Sequence, residues 1–314
     1  MTPGLLAIGE TMAALSAPQV GPLRRARSLD LRIAGAESTV AIGAARLGVR
    51  AAWIGRVGDD EFGALIRETL AGQGVDVSGV VVDPDAPTGL MFKERRASGT
   101  TRVSYRRADG AGARLAPSDI DVGAVRAAAA VHVSGITPAL STSAREAVRL
   151  AVGEARAAGT LVSLDLNHRS SLWQGRDPAA EYRWLVERAD IVFATEAEAQ
   201  LLVPGRTPVE LARALSEMGP ASVLLKCGAD GATAVVDGVV LDAPVFRVRE
   251  TDPVGAGDSF AAGWLADTLA GAEPAQRLRT AAAAGAFAVT VDGDWEGLPS
   301  RAELHLLEGH DIHR

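Results

Sequence analysis

Residues 250–260 have the sequence ETDPVGAGDSF and form a glycine-rich turn between two predicted elements. An apolar segment at 244–248 predicts a strand before the turn, and apolar residues at helical spacing predict a helix over 259–269 after it. The first turn of a helix leaves backbone N–H groups unpaired, and the positive end of the helix dipole lies at the same place. The stretch therefore predicts a strand–turn–helix unit that binds an anion such as a phosphate.

The turn differs from the commoner nucleotide-binding loops. No Gly-Lys-Ser/Thr follows Gly255, which excludes a Walker loop, and Phe260 stands where a dinucleotide-binding loop has its third glycine. Asp258 places a carboxylate at the anion site, which is favourable only if the acid has a task, such as accepting a hydroxyl proton beside a transferring phosphoryl group. The alternative is that Asp258 only caps its helix and that the glycines only form a turn.

Short apolar or β-branched segments alternate with Ala/Leu/Arg-rich segments of helical period along most of the chain. This alternation is typical of the α/β class, in which a mainly parallel sheet has helices on its faces. The predicted strands are residues 5–8, 51–57, 131–134, 161–164, 191–193 and 223–226, and the predicted helices are residues 38–47, 61–72, 142–158, 178–189, 208–218, 259–269 and 275–289.

Two segments, residues 14–33 and 88–107, interrupt the alternation. In the second, residues 90–95 and 102–106 predict strands around a turn at 97–99, with no crossover helix between them. We therefore expect a small antiparallel sheet, a lid that lies over the carboxyl edge of the main sheet, where ligands of such folds bind. The doubly wound body would then consist of residues 1–13, 34–87 and 108–314.

Length and composition limit the class of protein. The chain has 314 residues, which allows two ordinary domains or one large α/β unit with an insertion. The formal net charge of −7 disfavours nucleic acid as a partner, although it does not exclude a local basic pocket. The single cysteine, Cys227, cannot form an intramolecular disulfide, and no apolar run is long enough to span a membrane. We expect a cytoplasmic protein with no membrane or nucleic-acid partner.

Residues 252–263 resemble the C-terminal signature of the ribokinase (PfkB) family of carbohydrate kinases, Asp-Pro/Thr-x-Gly-Ala-Gly-Asp-x-Phe-x-x-Gly. The segments GAESTVA at 35–41 and IGRVGDD at 54–60 are similar to the N-terminal signature of that family. Both signatures occur in order across nearly the whole chain. The resemblance implies a ribokinase-like doubly wound fold with a small β-sheet lid, and kinase activity that uses ATP and Mg²⁺.

Within the family, the chain is most similar to 2-keto-3-deoxygluconate kinases. The segments that carry this similarity include VSYRR at 103–107, SGITPAL at 134–140 and DLNHR at 165–169. The expected reaction is transfer of the γ-phosphoryl group to a primary hydroxyl of a sugar acid, giving 2-keto-3-deoxygluconate 6-phosphate. Several positions depart from the family pattern and leave an altered sugar acid or keto-sugar open: Ala34, Thr39, Met91, Arg106 and Thr195.

The resemblance also implies roles for individual residues. Asp258 would be the general base, with the amides of Gly255, Ala256 and Gly257 stabilising charge on the transferring phosphoryl group. Arg107 and Arg169 would bind the carboxylate of the acid, since a guanidinium offers two parallel donors. The implied sugar pocket comprises Gly35, Thr39, Met91, Tyr105, Arg107, Ile136, Arg169 and Asp258, and the implied nucleotide site comprises Thr195, Lys226, Gly228, Gly231, Gly257 and Gly285.

Two acidic residues are implied to bind cations. Residues 195–198 are similar to the family's Asn-x-x-Glu element, so Glu198 would organise Mg²⁺ through water, although a helix acid is more commonly only solvated. Asp252 falls where related kinases hold a monovalent cation such as K⁺. Two alternative functions stay open: a fructokinase-like or ribokinase-like enzyme for a neutral sugar, and a non-catalytic sugar or nucleotide sensor. Exposed lid edges could also pair with a second subunit.

Overall fold

The computed structural model describes residues 4–96 and 101–307, and within these ranges the chain forms fourteen strands and eleven α-helices. The strands are β1 (Leu5–Ile8), β2 (Met12–Ser16), β3 (Asp30–Ala34), β4 (Ala51–Ile54), β5 (Arg56–Gly58), β6 (Val81–Asp83), β7 (Leu90–Arg95), β8 (Thr101–Arg106), β9 (Ala130–Ser134), β10 (Leu161–Asp165), β11 (Ile191–Thr195), β12 (Ser222–Lys226), β13 (Ala232–Val236) and β14 (Val239–Asp242). The helices are α1 (Ala36–Arg46), α2 (Glu61–Gly72), α3 (Val122–Ala127), α4 (Thr137–Leu140), α5 (Thr142–Ala158), α6 (Ser170–Trp173), α7 (Ala179–Val186), α8 (Glu196–Ala199), α9 (Pro208–Ser216), α10 (Ala256–Leu269) and α11 (Pro274–Ala288).

The main sheet has the order β14-β13-β12-β11-β10-β9-β1-β4, and it is parallel from β4 to β12. Successive residues of β1 point to opposite faces of the sheet: Leu5 and Ala7 belong to one buried core, and Leu6 and Ile8 belong to another. Both faces are therefore covered by helices, which confirms the doubly wound α/β fold that the alternation predicted.

Helix capping explains why two of the predicted helices have the predicted limits, namely α2 and α5. Asp60 accepts a hydrogen bond from the Gly63 amide at 2.8 Å, and Ser141 accepts one from the Ala144 amide at 3.0 Å. Gly159, with φ of 75°, ends α5 in the left-handed conformation that glycine favours. Among the helices in the described parts of the chain, none is long and apolar enough to cross a membrane.

Two expectations for the main sheet were wrong in detail. The strand predicted at 51–57 is divided into β4 and β5, and β5 pairs with β6 in a separate parallel pair. The segment 244–248 is not a strand, because the antiparallel hairpin of β13 and β14 already closes this edge of the sheet. Val245 is half exposed, and the segment forms one wall of a cavity instead.

The small separate sheet has the order β3-β2-β7-β8 and is formed by the segments that interrupt the α/β alternation. It is mixed rather than antiparallel, because β2 pairs with β7 in parallel. The chain passes through α1 to β6 between β3 and β7, and this long connection lets β7 enter in the same direction as β2. The inner face of the small sheet is apolar, with Met12, Ala34 and Met91 packed together. The turn predicted at 97–99 lies outside the described residues.

Candidate active site

The carboxyl ends of five adjacent strands, β12, β11, β10, β9 and β1, lie side by side at one edge of the main sheet. Each end is followed by residues that line a common cavity of about 510 Å³, which lies between this edge and the small sheet. They are Lys226 at the end of β12, Glu198 after β11, Asn167 and Arg169 after β10, Ile136 after β9 and Glu10 after β1. The volume suits a small molecule, and we call this space the acceptor cavity.

A second cavity, of about 680 Å³, lies on the other side of Gly257. The segment 244–248 forms part of its wall, together with Gly231 and Gly285, both of which the sequence placed at a nucleotide. Lys226, Gly228 and Gly257 line both cavities. Two ligands bound side by side would thus meet at Gly257, and we call the second space the donor cavity.

The glycine-rich turn lies at the junction of the two cavities. Gly255 has φ of 80°, a conformation that favours glycine, and a Cβ there would overlap the backbone carbonyl of Asp294. Within the described residues, nothing accepts a hydrogen bond from the amides of Gly255 and Gly257, whereas the Ala256 amide lies 3.4 Å from the Pro253 carbonyl. The start of α10 therefore presents two free donors and the positive end of its dipole to an anion.

Asp258 lies in the first turn of α10 and lines the acceptor cavity. The Asn167 side-chain amide donates a hydrogen bond to its Oδ1 at 3.2 Å, and Asn167 itself has the unusual φ of 35°. Loss of solvent raises the pKa of Asp258 to about 7; the nearby Asp165 carboxylate adds to this effect, and Lys226 and Arg169 oppose it. A carboxyl group that titrates near neutrality is well matched to accepting a proton.

Lys226 forms a buried ion pair with Asp165, with Nζ and Oδ2 2.6 Å apart. Burial by itself would lower the pKa of Lys226, but the carboxylates of Asp165, Glu198 and Asp258 outweigh it and raise the pKa. A Cβ at Gly257 would lie only 3.2 Å from Lys226 Nζ. The structure therefore holds a permanent positive charge against the start of α10.

The acceptor cavity also contains a buried ion pair between Glu10 and Arg107. The Arg107 guanidinium stacks over the Tyr105 ring at 5.3 Å. Glu10 Oε1 and Arg107 Nε have no hydrogen-bond partner among the residues that the structure describes. Because buried polar atoms normally have partners, these two atoms point to polar groups of a ligand. The sequence did not predict Glu10, and its pairing neutralises one of the two arginines that were expected to bind an acid.

Arg169 is the other arginine, and its environment is different. It is exposed, it lines the acceptor cavity, and in the described ranges it forms no ion pair. The charge of Arg169 acts on both Asp258 and Asp294 and lowers the pKa of each carboxyl. Arg169 is therefore the arginine with an uncompensated charge available to an anionic ligand.

Glu198 and Thr195 form a capping box at the start of α8. Glu198 Oε2 accepts from the Thr195 amide and Oε1 accepts from the His168 amide, both at 2.7 Å. No cluster of three metal-ligating side chains occurs in residues 4–96 and 101–307. Both carboxylate oxygens of Glu198 therefore accept from backbone amides, and each oxygen keeps acceptor capacity for a hydrogen bond from water.

Most of the predicted sugar-pocket residues line the acceptor cavity: Gly35, Met91, Tyr105, Arg107, Ile136, Arg169 and Asp258. Thr39 does not, because it is buried within α1, in the packing of that helix. Asp252 is not an open cation site either, since its Oδ2 accepts a hydrogen bond from Lys93 Nζ. An ammonium group thus lies at the carboxylate where the sequence placed a monovalent ion.

Sequence reasoning assigned no role to Asn167, Asp165 or Lys93. Asn167 and Asp165 stand in the DLNHR segment at the end of a predicted strand, and that position could have indicated them. Lys93 is one of only two lysines in the chain, but no local pattern connects it with Asp252. Asp294, which also lines the acceptor cavity, follows α11 in a stretch without a recognisable pattern.

The chain is similar to known proteins over nearly its whole length. A family model described as pfkB family carbohydrate kinase matches residues 3–301. A 2-dehydro-3-deoxygluconokinase from Thermoproteus tenax is 40% identical over 96% of this chain and 93% of its own length. A 2-dehydro-3-deoxygalactonokinase from Haloferax volcanii is 38% identical over 99% of this chain and 98% of its own.

Solved structures show the same fold. A protein assigned as Ribokinase II from E. coli, in complex with ATP and Mg²⁺, superposes with a TM-score of 0.91 at 28% identity. The similarity covers 98% of this chain and 99% of that one. The two-cavity arrangement therefore occurs in a fold that is shared with a nucleotide complex.

Proposed function

Because the chain belongs to the pfkB family of carbohydrate kinases, we propose that it transfers the γ-phosphoryl group of ATP to the 6-hydroxyl of 2-keto-3-deoxygluconate. The observation that carries the choice of a sugar acid is Arg169, an unpaired cation that lines the same cavity as Asp258. A neutral sugar has no group that would compensate this charge. A carboxylate offers two acceptor oxygens in the geometry that a guanidinium prefers.

The two cavities divide the reactants. ATP occupies the donor cavity with its γ-phosphoryl group at the start of α10, and the sugar acid occupies the acceptor cavity. Asp258 accepts the proton of the attacking hydroxyl, while Lys226 and the amides of Gly255 and Gly257 stabilise the charge on the transferring group. Mg²⁺ bound to the phosphates supplies further charge neutralisation. The residues of this chain thus provide a base, a cation and an anion loop at one point.

The small sheet acts as a lid in this proposal, with residues 14–33 and 88–107 as the lid segments and the remainder as the body. The lid segments contain ten basic and two acidic residues, although the whole chain carries a net charge of −7. A basic surface beside the cavity raises the local concentration of anionic ligands. This charge distribution supports an acidic substrate.

The proposal predicts which acceptors the purified enzyme uses with ATP and Mg²⁺. We expect kcat/KM for 2-keto-3-deoxygluconate to exceed that for ribose and fructose at least about 100-fold, because a site built around charged groups rejects analogues that leave them unpaired. The galactonate-derived epimer is included as an acceptor because one relative is named for it. Product is identified as the 6-phosphate. Preferential turnover of a neutral sugar, or ATP binding without turnover of any of these acceptors, would overturn the proposal.

Replacement of Arg169 by Gln tests the carboxylate contact. We expect the KM for the sugar acid to rise about 10- to 100-fold, because a charge-assisted hydrogen bond contributes roughly 1.5–3 kcal/mol. The KM for ATP should not change. Arg106→Gln is the matched control, since Arg106 lies on the opposite, exposed face of β8 and does not line the cavity. An unchanged KM for the acid in Arg169→Gln would refute the assignment.

The pKa of Asp258 predicts the pH dependence of the reaction. Because the carboxyl is raised to about 7, it is protonated below that pH and cannot accept the hydroxyl proton. With MgATP saturating, kcat/KM for the sugar acid should fall about tenfold per pH unit below 7 and become constant above it. A flat profile between about pH 6 and 8 would argue against Asp258 as the base.

A further inference from the structure

A buried lysine joins the small sheet to the glycine-rich turn. Lys93 lies on β7, its residue exposure is 3%, and its Nζ donates a hydrogen bond to Oδ2 of Asp252, which is also 3% exposed. Asp252 stands six residues before Asp258, in the loop that leads into α10. A charge is buried only with a partner, so each of these two groups requires the other.

Asp252 organises the two backbone segments that form the anion loop. Its Oδ1 accepts from the Val254 amide at 3.3 Å, and its Oδ2 accepts from the Gly293 amide at 3.2 Å. Gly293 precedes Asp294, whose carbonyl packs against Gly255. The Asp252 carboxylate therefore sets the relative position of the turn before α10 and of the segment 292–296.

Several other charged groups lie around this pair. The acidic residues among them are Asp292, Asp294 and Glu296. Arg32 Nε lies 3.7 Å from Glu296 Oε1, and Arg95 Nη2 lies 3.9 Å from Asp292 Oδ2. These two arginines therefore neutralise carboxylates of the segment 292–296. Arg169 acts on Asp294 from the acceptor cavity. Lys93 is the cation that contacts Asp252.

We propose that Lys93 is a positioning residue whose ammonium group takes the place of a monovalent metal ion at Asp252, so that phosphoryl transfer by this enzyme needs no K⁺. The inference rests on the proposed kinase function. Lys93 acts through Asp252 on the position of the Gly255 and Gly257 amides, and it does not touch the reacting atoms.

The same arrangement couples the acceptor cavity to the anion loop. Met91 and Lys93 are two residues apart on β7 and both line the cavity, Met91 within the apolar inner face and Lys93 at Asp252. A sugar acid packed against Met91 therefore contacts the strand that anchors the turn before α10. Loss of Lys93 is expected to change kcat more than KM, because it displaces groups that bind the transferring phosphoryl group.

The first test uses the wild-type enzyme in buffers that contain only tetramethylammonium, Na⁺ or K⁺ as the monovalent cation. We expect kcat to agree among the three buffers within about twofold, since the ammonium of Lys93 is present in all of them. Activation by K⁺ of more than about twofold would overturn the inference, whatever sugar the enzyme is found to prefer.

The second test compares Lys93→Ala with Lys93→Met. Both should lower kcat about 100-fold in tetramethylammonium buffer, the effect expected from a displacement of about 1 Å in catalytic groups. Alanine leaves space beside Asp252, so K⁺ or NH₄⁺ should raise the kcat of Lys93→Ala at least about tenfold. Methionine fills that space with an uncharged chain, and no cation should rescue Lys93→Met. Arg102→Gln, on the exposed face of the neighbouring strand β8, is the control and should keep wild-type kcat.

A binding readout separates this inference from the proposed function. The melting temperature of Lys93→Ala should rise with K⁺ concentration, and that of wild type and of Lys93→Met should not, because only the alanine variant has an open cation site. This measurement needs no sugar. Equal responses of Lys93→Ala and Lys93→Met to K⁺, in both melting temperature and kcat, would overturn the inference. Failure of the sugar-acid assignment alone would leave these responses unchanged.

Discussion

Replacement of Asp258 by Asn is expected to lower kcat about 10²- to 10⁴-fold, the usual contribution of a general base. Asparagine keeps the shape of the side chain and its contact with Asn167, but it cannot take the proton of the acceptor hydroxyl. The KM for ATP should change little, because Asp258 lines the acceptor cavity and not the donor cavity. The measurement is steady-state kinetics with 2-keto-3-deoxygluconate and ATP.

Stability measurements provide the control for this variant. The pKa of Asp258 is raised in the folded protein, so its ionised form opposes folding above the unfolded-state pKa. Asn removes that charge, and Asp258→Asn should therefore unfold at the same temperature as wild type at pH 8, or at a higher one. A folded variant that keeps kcat within about tenfold of wild type would rule out the assigned role.

Replacement of Lys226 by Met is expected to lower the free energy of unfolding by about 3–5 kcal/mol, the usual cost of leaving one partner of a buried ion pair uncompensated. The partner here is Asp165, whose side chain is 1% exposed. The same change should lower kcat about 10²- to 10³-fold, because it removes a cation from the point where the two cavities meet. Denaturation with guanidinium chloride measures the first effect, and kinetics measures the second.

A double variant separates these two effects. In Lys226→Met with Asp165→Asn, the carboxylate that pairs directly with Lys226 is also removed, so most of the stability should return. The loss of kcat should persist, because the cation next to Gly257 is still missing. Recovery of both properties in the double variant would show that Lys226 has only a structural role. A single variant as stable as wild type would show that the ion pair does not carry the stability assigned to it.

The parts of the site that are local in sequence were predictable. The turn at residues 252–258 combines glycines with the start of a helix, and the free amides of Gly255 and Gly257 follow from that local geometry. Helix α5 has its predicted limits because Ser141 and Gly159, its start and stop signals, lie within or beside the helix. Such features depend on neighbouring residues, so the structure differs little from the expectation.

Expectations that depended on pairing between distant segments were less accurate. Residues 244–248 have the apolar composition of a strand, but β14 already occupies the edge of the sheet, and the segment lines the donor cavity instead. The small sheet is mixed because β7 pairs with β2 in parallel. Neither outcome can be read from the composition of one segment, since strand pairing depends on which edges the rest of the chain leaves open.

The sequence by itself determined the doubly wound fold, the anion loop and the carboxylate of Asp258 within it, because periodicity, glycine conformation and helix ends are local properties. The tertiary structure alone decided the partners of the buried charges. Lys93 and Asp252 are 159 residues apart, and Asn167 and Asp258 are 91 residues apart. Their contacts depend on strand order and register, which bring residues from separate segments together and determine which charge is neutralised and which remains free for a ligand.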